Sequence, residues 1–146
     1  MNLADYNEIV KLFHDESDRA AAILAASFLE DFLGEFLKNY MVSDQQVLDG
    51  LLKGYGPLAT FGARRECAYA FRYIDDTLRK DIKYIAKVRN EFAHNYERNS
   101  FSDTPIPDLC QNLSTAGCSK EPRSQYLIAT GMAVGRLHNI MHFGKG

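Results

Sequence analysis

The sequence predicts an all-α protein: a single-domain bundle of about five to six helices spanning residues 1–146. Three observations carry that prediction. Apolar residues recur at three- and four-residue spacing through long segments. Most of these segments follow Ser, Thr or Asp, whose side chains cap helix starts by accepting from the first free backbone N–H groups. No segment shows the apolar–polar alternation that a half-buried strand needs.

A short first helix is predicted over LADYNEIVKLFH. The second, capped by Asp15 or Ser17, runs long through DRAAAILAASFLEDFLGEFLKNY. Its apolar stripe reads Ala21, Leu24, Ala25, Phe28, Phe32, Phe36 and Tyr40. Gly34 interrupts it at a propensity cost of about 1 kcal/mol, which packing must offset. Ser43 is expected to cap DQQVLDGLLKG, and Gly54, Gly56 and Pro57 then break the chain.

Thr60 is expected to cap FGARRECAYAFRYI, and Asp75 or Asp76 to cap TLRKDIKYIAKVRNEFAHNY. An irregular loop is predicted over about 97–119, on the strength of Asn99, Ser100, Ser102, Pro105, Pro107 and the stretch STAGCSKEP. The last helix, PRSQYLIATGMAVGRLHNIMH, contains Ala129, Gly131, Ala133 and Gly135, small enough to admit another helix closely.

A chain of 146 residues is long enough to bury roughly 70% of its unfolded surface in one core. The net charge of -2 hides an uneven spread. Residues 1–59 carry ten acids against four bases, and residues 60–100 carry nine bases against six acids. The whole chain therefore lacks the basic field of a general nucleic-acid binder. Its middle segment offers either a local basic face or ordinary solvated helix faces.

No run of apolar residues is long enough for a membrane span, and the start MNLADYNEIV has neither a basic nor an apolar signal region. Three cysteines, Cys67, Cys110 and Cys118, form no CxxC pair. A reduced, cytoplasmic protein with no cofactor is the expectation. The pair His138 and His142 lies four apart on one helix face, but Asn139 stands where a zinc protease would carry glutamate, so no metal is expected.

The stretch RNEFAH, Arg89 to His94, is the most informative. At 100° per residue, Ile82, Ile85, Phe92 and Tyr96 fall within about 60° of Arg89, while Asn90 and His94 lie at about 100° and 140°, beside Lys83 and Lys87. Arg89 thus occupies an apolar stripe whose polar border is Asn90 and His94. A guanidinium held there requires a carboxylate, because an unpaired buried charge costs several kcal/mol. Asp31 and Glu35, four apart on the long second helix, are the expected partners, ahead of Asp18 and Glu30. Asp18 and Arg19, at that helix's start, make a second polar cluster: a favourable acid at a helix N-terminus, or a neighbour of His94.

Arg89, Asn90 and His94 are also groups that metal-independent RNA cleavage uses: an imidazole to move protons, a guanidinium to stabilise phosphorane charge, an amide to orient a phosphate. About 140° of separation keeps Arg89 and His94 from gripping one phosphate within a single helix, so a symmetric dimer would be required.

Two family resemblances follow. Arg89-Asn90-Glu91-Phe92-Ala93-His94 resembles the R-x4–6-H signature of HEPN domains, helical bundles that include dimeric ribonucleases; this implies RNA as an alternative partner. A broader resemblance joins ESDRAAAILAASFLEDFLGEFL, LLKGYGPLATFGARRECAYAFRYI and IAKVRNEFAHN. Together they are similar to the mannitol operon repressor family over about residues 15–142. That resemblance implies an all-helical transcriptional repressor acting through protein partners, a DNA-binding regulator among them; a homo-oligomer is expected as well. Direct DNA reading is not expected, since the nearest recognition-helix candidate, RRECAYAFRYI, carries Tyr, Phe and Ile that are expected to face the core. A regulator rather than an enzyme is the reading the sequence favours.

Overall fold

The computed structural model describes residues 11–143. Its elements are α1 Asp18–Lys38, α2 Gln45–Leu52, α3 Phe61–Ala70, α4 Asp76–His94, a short α5 Ile106–Cys110, a 3-10 turn Ala116–Cys118, and α6 Pro122–Phe143. Among the described residues there is no strand, so the all-α class holds. The predicted first helix over 3–14 lies outside the described residues except at its end, where Phe13 is buried in the core.

The long helices α1, α4 and α6 pack on one another, with α3 against α1 and α4 and α5 closing over α4 and α6. Small residues set the closest approach. Ala21, Ala22, Ala25 and Ala26 of α1 are fully buried, and Ala129, Gly131 and Ala133 of α6 are buried as well. The Tyr126 hydroxyl donates to the Ala22 carbonyl at 2.6 Å across this contact. Phe92, Phe101 and Tyr126 then form an aromatic row, with centroids 5.0 and 5.4 Å apart, that ties α4 and the following loop to α6.

Caps explain the boundaries. Ser17 accepts from Ala20 N–H, Thr60 from Ala63 N–H and Asp75 from Leu78 N–H. Ser43 does not cap α2: Asp44 does, accepting from Gln46 and Val47 N–H. Gly54 closes the α2 turn at φ 60, and Gly56 approaches so closely that a Cβ there would stand 2.4 Å from the Gly50 and Leu51 carbonyl oxygens.

The predicted α3 stops early. Its chain turns at Arg72, which has φ 64, while Arg72 N–H reaches Tyr69 O and Tyr73 N–H reaches Ala68 O. These two bonds and the left-handed residue make a Schellman end with arginine in the position glycine usually fills.

The stretch expected as irregular loop carries α5 and the 3-10 turn, because Phe101, Ile106, Cys110 and Leu113 are apolar enough to be buried. Pro107 sits in the first turn of α5, where its missing N–H costs nothing. Asp81 on α4 secures this segment by accepting from both the backbone N–H and the hydroxyl of Ser114.

Candidate functional site

Arg89 projects from α4 toward α1, and its carboxylate there is Glu30: Nη1 lies 3.3 Å from Oε1, with both side chains mostly buried. The guanidinium also sits 5.3 Å from the Phe61 ring centroid. The expected partners Asp31 and Glu35 are exposed instead, and Glu35 pairs with Lys38 at 2.9 Å.

The cause is a rotated stripe. The buried face of α1 is Ala22, Ala25, Ala26, Leu29, Leu33, Phe36 and Leu37, while Leu24 is 47% exposed and Tyr40 40%. Glu30 lies within about 60° of Ala26 and Leu33, so it follows them inward; Asp31 is about 20° from Leu24 and follows it to solvent.

Arg64 of α3 is a second clamp, unanticipated from the sequence. Its Nε donates to Leu58 O at 2.8 Å, Nη1 to Glu30 O at 2.8 Å and Nη2 to Leu52 O at 3.0 Å. One guanidinium thus joins α1, the end of α2 and the loop before α3. An open cleft of about 350 Å³ lies over it, lined by Asp31, Gly34, Glu35, Lys38, Leu52, Lys53 and Arg64. The glycine in the middle of α1 was the available signal: it marks a place where another group presses on the helix.

Asp18 and Arg19 work as a hub. Asp18 accepts from Phe101 N–H at 2.9 Å and pairs with Arg123 of α6 at 2.6 Å. The same Arg123 donates to the Phe13 and His14 carbonyls. Arg19 donates to the carbonyls of Asn95, Tyr96 and Arg98, the chain leaving α4. Arg19 therefore reaches the segment that follows His94, but it holds that segment's backbone carbonyls and makes no hydrogen bond to the imidazole.

Asn90 and His94 are both exposed, and among the described residues neither takes part in a side-chain hydrogen bond or ion pair. The motif is thus divided: Arg89 is committed inward to Glu30 and Phe61, and Asn90 and His94 face solvent with Lys87. One chain does not bring Arg89 and His94 to a common site. The rings of His138 and His142 lie 4.2 Å apart, yet among the described residues no three His, Cys, Asp or Glu side chains are grouped to hold a metal. Cys67, Cys110 and Cys118 are free thiols, and no helix among the described residues is long and apolar enough to cross a membrane.

The fold and these clamps define an all-helical bundle domain fastened by arginines that bridge its helices. The chain belongs to the mannitol repressor family (MtlR), whose family model matches residues 7–129. Two solved structures share the fold. A chain of the X-ray structure of the MtlR–HPr complex from Escherichia coli aligns with TM-score 0.75 at 16% identity, over 92% of this chain and 98% of that one. A possible transcriptional regulator, YggD from Shigella flexneri, aligns with TM-score 0.74 at 16% identity, over 90% and 97%. No curated protein matches the sequence significantly.

Proposed function

We propose that this protein is a transcriptional regulator of repressor type that acts through protein–protein contacts rather than by reading DNA directly. The observation that carries the reading is the family match across residues 7–129, which takes in α1 to α5 and the start of α6. The arrangement of the bundle supports it. Its arginines Arg19, Arg64, Arg89 and Arg123 are spent on holding helices together, leaving a rigid surface for a partner. The fold is shared with a chain from an MtlR–HPr complex, which makes HPr of the same organism the first partner to test. Self-association belongs to the same proposal.

The experiment has two parts. Deleting the gene is expected to raise transcription of a defined set of genes, restored by the wild-type copy. Purified protein is expected to bind HPr in calorimetry and to show its oligomeric state by light scattering. An unchanged transcript profile together with no binding overturns the reading.

A further inference from the structure

The outward face of α4 carries a row of side chains that the bundle does not use. Lys83, Lys87, Asn90 and His94 fall within about 60° of one another around the helix and span about 16 Å along it. Lys87, Asn90 and His94 are exposed, and Lys83 is half-buried. Among the described residues none of the four has a carboxylate partner, although Lys87 leans over the Tyr84 ring with Nζ 5.1 Å from its centroid.

The acids nearby on α4 are already engaged. Asp76 pairs with Arg79 and Lys80 at the start of the helix. Glu91 accepts from Asn95 and faces Arg98. Asp81 is buried against Ser114. The row is therefore a strip of uncompensated donors on a rigid element. The opposite side of α4 is fixed by Ile82, Ile85, Val88 and Phe92, and its end is held by Arg19.

We infer that this row docks a carboxylate-bearing helical face of a partner protein; the inference rests on the reading that the protein works through protein contacts. Charge complementarity selects the occupant. Donors four residues apart on a helix repeat about every 6 Å, the spacing at which a second helix presents carboxylates from successive turns. A nucleic-acid duplex is the poorer fit: binding it strongly takes about six to ten phosphate contacts, and this row supplies few cations within a chain of net charge -2.

The test uses the full chain and a fluorescent alanine-based helical peptide with glutamate at every fourth position. Companion probes carry glutamine or lysine there, and an oligouridylate stands for nucleic acid. The glutamate peptide is expected to bind wild type and to bind the Lys83→Glu/Lys87→Glu variant roughly tenfold more weakly, with the lysine peptide reversing that order. Equal binding of the glutamine peptide, no effect of the charge reversal, or tighter oligouridylate binding through the same lysines overturns the inference.

Thermal melts of the variant report whether it is folded; these lysines make no contact that the core needs. Normal gene repression by wild type alongside failed peptide discrimination removes the row but leaves the regulator reading standing. Charge-dependent peptide binding in a strain whose transcripts ignore the deletion does the reverse.

Discussion

Arg64 lies against Gly34 so closely that a Cβ built on the glycine would stand 3.1 Å from Nη1 and 3.2 Å from Cζ. The arginine cannot simply swing away, because the carbonyls of Leu58, Glu30 and Leu52 hold it. Alanine at this position gains about 1 kcal/mol of helix propensity and loses part of hydrogen bonds worth roughly 1.5–3 kcal/mol each. The expected net effect of Gly34→Ala is a loss of about 1 kcal/mol. In an Arg64→Ala background the same substitution is expected to stabilise by up to about 1 kcal/mol. A double-mutant cycle by urea unfolding reads this change of sign, and two additive effects would refute the contact.

Glu30 and Asp31 are neighbours with different duties. Removing Glu30 leaves Arg89 without its carboxylate against Phe61. Because both partners keep some solvent contact, Glu30→Ala is expected to cost about 1–2 kcal/mol, below the range for fully buried pairs. Asp31→Ala, on the exposed face, should stay within about 0.5 kcal/mol of wild type. Equal losses for the two variants would return the ion pair to the wrong carboxylate.

Arg72 ends α3 in a left-handed conformation that costs a side-chain-bearing residue about 1–2 kcal/mol. Glycine removes that cost but is more flexible in the unfolded chain, a penalty of roughly 0.5–1 kcal/mol. Arg72→Gly is therefore expected to raise stability by about 0.5–1 kcal/mol, and Arg72→Val to lower it. Chemical denaturation of the three proteins decides; a destabilised glycine variant would mean that the arginine side chain contributes more than its backbone costs.

Alkali should weaken the bundle through two buried acids. Burial holds the Tyr126 phenol well above its ordinary value of 10.0, and pushes the Cys110 thiol from 9.0 up to about 12. A raised folded-state pKa means that the unfolded chain releases its proton first. The stabilisation is complete below the unfolded values and is lost as pH rises past them, for Cys110 between pH 9.0 and about 12. Unfolding midpoints should fall across that window, less steeply in Cys110→Ala. At neutral pH a thiol reagent should modify exposed Cys118 quickly and buried Cys110 only on unfolding. Rapid modification of all three thiols in the folded protein would contradict this packing.

The sequence by itself determined the helices, because their signals are local. Ser17, Thr60 and Asp75 cap within a turn of themselves, and the apolar spacing of α4 correctly turned Arg89 inward. Of the four small residues expected to admit another helix along α6, Ala129, Gly131 and Ala133 are buried, whereas a Cβ on Gly135 would meet nothing within 4 Å. The short helix around Cys110 was hidden by prolines that read as loop.

Tertiary structure alone decided which face of α1 is interior. Alanine, leucine and phenylalanine surround most of that helix, so its own periodicity leaves the phase open, and α4 and α6 together set it. From that rotation follows the choice of Glu30 over Asp31. The clamps of Arg64, Arg19 and Arg123 are settled at the same level, since each joins carbonyls or a carboxylate far apart in the chain. A guanidinium's partners are fixed by what packing brings within about 3 Å, and no spacing along the sequence encodes that.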